Sequence, residues 1–210
     1  MMRPLAALLT LLISACAAER PLPDRYDLDA PRTRSQPDPR LDTTLAVPPI
    51  NAPSWLRTTA LIYRLDYEPP AHPRAYVRSQ WAAPPNELLS LRLRERISAV
   101  NDGFTNERLP EDMEGYHLEV TLEDFTQAFP SADHSQCVVT VSVLLRRGDR
   151  MLAQKTFHAE RSAPTADAAG AVVGLTDAAD ADFAQLLTWL HSTLPPQHAA
   201  ATAAAEQPDR

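Results

Sequence analysis

Cysteine, histidine and aspartate are the residues of this sequence that could do chemistry, and Cys16 has the most informative surroundings. It ends the run "ISAC" at 13–16, in which a branched aliphatic residue and two small residues precede the thiol. Arg3 supplies positive charge before the apolar stretch 4–13, which has the length of a signal-peptide core and is too short to span a bilayer. Small residues admit a peptidase to the backbone, and a thiol sulfur can carry a diacylglycerol. We therefore expect residues 1–15 to be a lipoprotein signal peptide and Cys16 to be the lipid attachment residue.

The same residues permit one other interpretation, because "ACAA" at 15–18 also allows the small-residue cleavage site of a secreted protein. The pattern resembles the bacterial lipobox more closely, since cysteine is itself part of that motif. Two or three acyl chains on Cys16 would give stable anchoring, whereas one chain alone is marginal. Ala17 in place of Asp favours retention at the outer membrane, on its periplasmic side.

Two further groups of side chains suggest chemistry without completing a site. His134 and Cys137, with Asp133 adjacent, are spaced like a fragment of a metal site, but a closed zinc site needs four ligands. A solvated hairpin loop is the simpler interpretation. His117 and Glu119 could exchange protons, yet strand alternation alone would place both on one polar face.

The remaining candidates also have structural explanations. Asp177, Asp180 and Asp182 could attract a cation, but we expect them near the beginning of the last helix, where negative charge is favourable. Arg147-Gly148-Asp149 spells a cell-adhesion tripeptide, although Gly-Asp is also a preferred hairpin turn. The sequence contains no G-x-S-x-G, G-x-x-x-x-G-K, H-E-x-x-H or C-x-x-C pattern. We therefore expect no enzymatic activity, no catalytic residue, and no cofactor or metal.

Composition excludes some classes of partner. The 210 residues carry a formal net charge of −7, and Lys155 is the one lysine in the chain. Nucleic-acid binding depends on clustered Lys and Arg, so we expect no nucleic-acid partner. Cys137 lies in the apolar run "CVVTVSVLL" and is expected to be a buried small hydrophobe, with no disulfide.

Hydrophobic periodicity predicts strands, a helix, further strands and a second helix. The predicted strands are an edge strand or a strand with a bulge within 45–53, two strands at 58–67 and 75–81 joined by a Pro-rich turn, a half-buried strand from Tyr116, and a hairpin over 136–160 that turns at 146–150. In the hairpin, alternate residues from Cys137 to Leu145 share one face.

Two amphipathic patterns define the helices. In the first, Pro84 and Pro85 place the start, Asn86 can cap it, and the apolar stripe is Leu89, Leu93, Ile97 and Val100, with Arg92, Glu95 and Arg96 turned away. In the second, the stripe is Val172, Leu175, Ala179, Phe183, Leu186 and Leu190, with Trp189 on its flank. The expected fold class is therefore α+β, a single domain with a mostly antiparallel sheet, an amphipathic central helix and a long C-terminal helix packed on one face.

Three segments and the end of the last helix together carry a family resemblance. They are "YDLDAP" at 26–31, "LAVPPINAPSWLRTTALIYRLD" at 45–66, "WAAPPNELLSLRLRERI" at 81–97, and Trp189-Leu190. With the lipobox, they resemble the ABC-type transport auxiliary lipoprotein family, the Pqi-type lipoproteins associated with MCE-domain lipid transporters. The matching positions are Tyr26, Leu28, Val47, Pro48, Pro53, Leu56, Ile62, Tyr63, Arg64, Trp81, Ala82, Ala83 and Pro84.

The resemblance implies a function and a set of partners. It implies a lipid-anchored periplasmic subunit that works with an MCE-domain protein and an ABC permease and ATPase, moves phospholipid or a related lipid between membranes, and contributes no catalytic residues. A homo-oligomer is compatible with this role. The expected organisation is a tether at 16–25, the domain at 26–194, with its first strand within 26–31, and a disordered tail at 195–210. Trp81, Tyr63 and Arg64 match the motif and are expected to hold the helix on the sheet rather than to contact lipid.

A second hypothesis belongs to another class of protein. A regulatory or structural envelope lipoprotein could use a similar small α+β domain to bind a peptidoglycan synthase or an outer-membrane assembly machine, because fold alone does not decide function.

Overall fold

The order of strands and helices follows the order expected from hydrophobic periodicity. The computed structural model describes residues 22–28, 37–70, 72–105, 109, 113 and 115–194. Within these residues the elements are β1 (Asp24–Tyr26), β2 (Leu45–Ala46), β3 (Ala60–Leu65), β4 (Arg74–Trp81), α1 (Pro85–Ser98), β5 (Phe104–Thr105), β6 (Tyr116–Ser131), β7 (His134–Arg147), β8 (Arg150–Ser162) and α2 (Ala168–Thr193). The predicted α+β class, with one sheet and a long C-terminal helix, is confirmed.

The three longest strands, β6, β7 and β8, form an antiparallel meander that is the frame of the sheet. On its other side, β6 pairs with two short strands that lie end to end and run parallel to it. β2 lies beside Tyr116 and His117, whereas β3 lies beside 127–129. β5 extends the sheet beyond β2, and β4 and β1 extend it beyond β3. The sheet is therefore mixed, with antiparallel pairing in its long strands.

The strand predicted within 45–53 is shorter than expected, and the prediction that it lies at an edge is wrong. β2 contains only Leu45 and Ala46, and it lies between β5 and β6 rather than at an edge. Pro48 follows shortly after and has no N–H to donate, so the ladder cannot continue through it. The chain meets β6 again only at a single bridge between Asn51 and Thr121.

The first strand also lies slightly earlier than predicted. The sequence indicated a strand within 26–31, whereas β1 is Asp24–Tyr26 and runs parallel to the end of β4. The Ala82 N–H donates to the Tyr26 carbonyl at 2.6 Å and closes this corner of the sheet. Pairing with the sheet therefore begins at Asp24.

The core lies between one face of the sheet and the two helices. Along β7, the five alternate residues predicted to share a face are all buried, at no more than 2% exposure: Cys137, Val139, Val141, Val143 and Leu145. α2 packs over β7 and β8, where the Trp189 ring lies 6.0 Å from the Phe157 ring. Full burial of one such apolar side chain stabilises the fold by about 1.5–3 kcal/mol, so this face provides the main driving force for folding.

The beginning of α2 is capped by a side chain. Asp167 is the N-cap residue, and its carboxylate accepts hydrogen bonds from the Gly170 N–H at 2.8 Å and the Thr165 hydroxyl at 2.7 Å. These bonds lower the pKa of Asp167. The helix therefore begins before the apolar stripe that predicted it.

α1 begins at Pro85, as Pro84 and Pro85 predicted, but its cap differs from the prediction. Pro84 is the N-cap residue and makes no side-chain capping bond. Asn86 is not the cap, because its amide instead donates to the Ile50 carbonyl at 3.2 Å. The Ser90 hydroxyl accepts from the Ile50 N–H at 2.8 Å, so two side chains of α1 hold the segment after β2.

The prediction that Arg92 and Arg96 turn away from the core is wrong, although Glu95 is exposed. Arg92 donates to both carboxylate oxygens of Asp180 on α2, at 2.8 and 2.6 Å. Arg96 donates to both carboxylate oxygens of Asp38, with a shortest distance of 2.7 Å, and to the Asp180 carbonyl at 2.9 Å. The apolar stripe shows which side of α1 meets the sheet, but it gives no sign that a second helix covers its flank.

The Arg92–Asp180 pair allows a test of whether the two charges depend on each other for stability in the folded protein. Breaking a buried pair leaves one charge without its partner, so Arg92→Leu and Asp180→Leu should each lower the free energy of unfolding by about 3–5 kcal/mol. The double variant should lose much less than the sum of the two, as measured by denaturant unfolding in a double-mutant cycle. The exposed Arg40–Asp102 pair, at 2.9 Å, is the control, and Arg40→Leu should cost less than about 1 kcal/mol. Strict additivity at the buried pair would contradict this assignment.

Gly174 allows a test of the close packing of α2 on β7. A Cβ on residue 174 would lie 2.5 Å from the Cys137 Sγ. Gly174→Ala should therefore destabilise the fold by about 1–3 kcal/mol, despite the higher helix propensity of alanine. The same substitution in a Cys137→Ala background should cost clearly less by denaturant unfolding. An equal cost in both backgrounds would show that the sulfur contact is not the cause.

Candidate functional site

The residue with the clearest predicted chemistry, Cys16, lies outside the described residues, as does the rest of the predicted signal peptide. The described helices include none that is long and apolar enough to cross a membrane. Lipid attachment at Cys16 therefore stays a prediction from the sequence.

The structure separates His134 and Cys137, which the sequence spaces like metal ligands. His134 lies at the start of β7 with an exposed side chain, and its Nδ1 is 3.1 Å from an Asp133 carboxylate oxygen. Hydrogen bonds from His134 and Ser131 lower the pKa of Asp133. The Cys137 thiol points to the other side, into the core, 3.6 Å from the Ala171 carbonyl, and burial raises its pKa to about 12. The buried, neutral thiol and the exposed imidazole lie on opposite sides of the strand, so they cannot coordinate the same metal ion.

The other polar strand residues lie where alternation predicted. His117 and Glu119 face away from the helices, opposite Arg146 and Leu144 of β7. This open face of the sheet also carries an ion pair between Arg64 and Asp124 at 3.2 Å. These side chains form a polar, partly solvated sheet surface.

Arg147-Gly148-Asp149 is a hairpin turn, as predicted. β7 ends at Arg147 and β8 begins at Arg150, so Gly148 and Asp149 form the turn. Gly148 has a φ of 56°, a left-handed conformation that favours glycine.

The aromatic residues of the family motif have packing roles. Trp81 is 1% exposed, and its ring lies 5.4 Å from that of Phe125. Tyr63 packs against Tyr76, with ring centroids 4.7 Å apart. A Trp81 side chain buried in this way has no surface to offer to a lipid.

A surface cavity of about 520 Å³ lies where the β6–β7 turn meets the loop before α2. Ser131, Asp133, His134 and Ser135 line it together with Pro and Ala residues of the loop. Behind this wall, the Gln127 amide donates to the Ser135 hydroxyl at 2.8 Å and accepts from the Tyr76 hydroxyl at 2.7 Å. The charged and hydroxyl lining suits water or a small polar ligand better than an acyl chain. Sequence inspection missed the cavity because its walls come from two separate loops.

The three aspartates of α2 have different surroundings and do not form a cation site. They lie in the middle of the helix rather than near its start, because α2 begins at Ala168. Asp180 is paired with Arg92, whereas Asp182 is fully buried, and neither of its carboxylate oxygens has a hydrogen-bond partner among the described residues. Across the described residues, no three His, Cys, Asp or Glu side chains converge on one point.

Burial raises the pKa of Asp182 to about 7, against the opposing effect of His158 and Arg161 on β8. The folded protein then holds a proton that the unfolded chain releases near an ordinary Asp pKa of about 3.9. The unfolded state binds fewer protons between these two values, so the free energy of unfolding must fall as the pH rises through this window.

We predict that the contribution of Asp182 to the free energy of unfolding decreases between about pH 4 and pH 7, by at most about 1.4 kcal/mol per pH unit, and that this contribution is constant at higher pH. Asp182→Asn should remove this contribution, since the amide has no charge to bury. Glu119→Gln, on the exposed sheet face, is the matched control and should leave the slope in place. If the melting temperatures of wild type and Asp182→Asn changed with pH in the same way across this range, the buried-acid interpretation would be ruled out.

Comparison with known proteins identifies the family. Residues 26–186 match the family model of the ABC-type transport auxiliary lipoprotein component. A crystal structure of a Xanthomonas campestris protein has 16% identity and a TM-score of 0.67, covering 81% of this chain and 96% of that one. A solved structure of an uncharacterized protein has 17% identity and a TM-score of 0.63, covering 81% and 99%. At these identities the two structures support the fold alone, and no curated protein matches the chain. Because the family match spans most of the sequence, this protein belongs to the ABC-type transport auxiliary lipoprotein component family.

Proposed function

We propose that this protein is the lipid-anchored auxiliary subunit of an MCE-type ABC transport system that moves phospholipid or a related lipid between the inner and outer membranes. The family match over residues 26–186 is the observation that carries the proposal. Membership of the family implies association with an ABC transport system and a place in the bacterial envelope. The MCE partner, the lipid cargo and the outer-membrane location are the finer parts of the proposal, and they rest on the sequence resemblance and on Ala17.

The proposed anchor is compatible with the position of β1. Eight peptide units separate Cys16 from Asp24, where pairing with the sheet begins. An extended chain advances at most about 3.6 Å per residue, so residues 16–24 can reach about 29 Å. The tether expected at 16–25 is shortened to 16–23, because Asp24 and Arg25 belong to β1. In this proposal it keeps the β1 edge of the domain near the membrane, and residues 195–210 form a tail.

A docking role without catalysis is supported by the surroundings of the reactive side chains. The Cys137 thiol is buried and its pKa is raised, so it is a poor nucleophile. His134 lies on the other side of the strand, and the buried Asp182 carboxyl reaches no solvent. The polar lining of the surface cavity does not favour an acyl chain, which supports a subunit that leaves the lipid to be carried elsewhere in the system.

The anchor generates its own prediction. Full-length wild type should incorporate labelled palmitate and fractionate with the outer membrane, while Cys16→Ser should lose the label and leave the membrane fraction. Cys137→Ser is the matched control, since the other cysteine should leave labelling intact. Label retained in Cys16→Ser, or wild type that fractionates with the inner membrane, would contradict the corresponding part of the proposal.

The partners are tested by crosslinking and purification of the tagged lipoprotein from its native bacterium. The proposal expects an MCE-domain protein, the permease and the ATPase to copurify, and deletion of the lipoprotein gene to impair lipid transport. Recovery of a peptidoglycan synthase or an outer-membrane assembly protein in their place would favour the regulatory or structural envelope lipoprotein.

A further inference from the structure

The outer edge of β8 is the longest strand edge that the described residues leave open. β8 runs for 13 residues, and β7 is its only partner in the part of the chain that the structure describes. An open edge of this length presents a row of backbone donors and acceptors that can pair with another strand. The ladder with β7 is regular from Gln136↔Ser162 to Leu145↔Ala153, and the one register shift lies beyond Leu145.

The hydrogen-bond pattern shows which β8 residues present their backbone to the open edge. The Ala163 N–H donates to the Ser135 carbonyl at 3.1 Å, so the pair of residues 135 and 163 is a hydrogen-bonded pair. Such pairs alternate with non-bonded pairs along an antiparallel ladder. Odd-numbered β8 residues therefore pair with β7. The outward-facing groups belong to Gln154, Thr156, His158, Glu160 and Ser162.

The charge of this edge is opposite to that of the protein as a whole. The chain carries a net charge of −7, yet Arg150, Lys155 and Arg161 all lie on β8 and are exposed. None of the three forms an ion pair within the described ranges, and the one acidic side chain of the strand, Glu160, faces His158 at 3.1 Å. A basic strand edge is complementary to an acidic strand.

The same charges disfavour pairing between two copies of β8. Like charges on adjacent strands destabilise a sheet, whereas opposite charges contribute to cross-strand stability. The exposed side chains of Met151 and Leu152 at the start of β8 add apolar surface that a neighbouring strand could cover. The free backbone groups, the positive charge and the apolar surface of this edge therefore favour an acidic strand over a second copy of β8.

We propose that the β8 edge binds an extended, acidic segment of a partner protein, which adds to the sheet as a further strand. In such β-augmentation, main-chain hydrogen bonds give affinity and side chains on alternate faces give selectivity. This inference goes beyond the proposed transport function and does not depend on Cys16 or on an MCE partner.

The test uses the full-length protein in detergent and two synthetic peptides of equal length. In one peptide Glu alternates with Thr and Val, and in the other Lys replaces Glu. Fluorescence anisotropy should show binding of the Glu peptide and at least about tenfold weaker binding of the Lys peptide. Infrared spectra of a Glu peptide with ¹³C-labelled carbonyls should show its amide band move to the β-sheet position on binding.

Proline variants separate strand addition from simple charge attraction. Thr156→Pro removes an N–H that faces outward, so it should keep the β7 ladder and the melting temperature while weakening Glu-peptide binding by about tenfold or more. Gln154→Pro is a second variant of the same kind, and Thr156→Ala is the matched control that keeps the N–H. Lys155→Gln with Arg161→Gln should weaken the Glu peptide selectively.

Several outcomes would overturn the proposal. Equal binding of the two peptides, or wild-type affinity in both proline variants, would exclude an acidic added strand. A wild-type dimer that Thr156→Pro converts to a monomer would make a second copy the occupant. Loss of folding in both proline variants would contradict the assignment of outward-facing N–H groups on which the inference depends.

Discussion

The buried ion pairs between α1 and α2 are the constraint on which the arrangement of the domain depends. Removing a carboxylate and a guanidinium from water costs several kcal/mol per ion, and only close, multiply hydrogen-bonded partners offset this cost. Arg92 meets both oxygens of Asp180, and Arg96 meets Asp38 and the Asp180 backbone. A shift of one helix by a single residue would leave these charges buried and unpaired. The pairs therefore fix one placement of the two helices, and Asp38 ties the chain before β2 to the same point.

Because both helices pack on one face of the sheet, the described residues leave the opposite face and the strand edges uncovered. The covered face holds the apolar side chains, while the open face carries polar residues such as His117 and Glu119. The strand edges differ as well. β8 ends the sheet on one side of β6 and is basic, whereas β1 and β5 end it on the other side, and β1 lies closest to Cys16 in the sequence.

Features with a local cause were predictable from the sequence, and features that depend on distant partners were not. The buried face of β7 follows from strict alternation, and the hairpin turn follows from Gly148. The position of β2 inside the sheet could not be predicted, because its partner β6 comes about seventy residues later in the chain. Asp180 and Asp182 lie two residues apart on α2, but only Asp180 is paired with an arginine of α1, whereas the Asp182 carboxylate has no hydrogen-bond partner among the described residues. Helical periodicity cannot distinguish them, so the unpaired, buried carboxyl of Asp182 could be found only in three dimensions.

The positions of the two edges connect the proposed anchor with the proposed binding strand. Strand order places β1 and β8 at opposite ends of the sheet, separated by β4, β3, β6 and β7. Neighbouring strands lie about 4.8 Å apart, so five steps put these edges roughly 24 Å from each other. A tether attached before β1 would leave β8 on the side of the domain that points away from the attachment point. A subunit anchored in this way would lie next to the membrane at its β1 edge and could pair with a partner strand at its β8 edge.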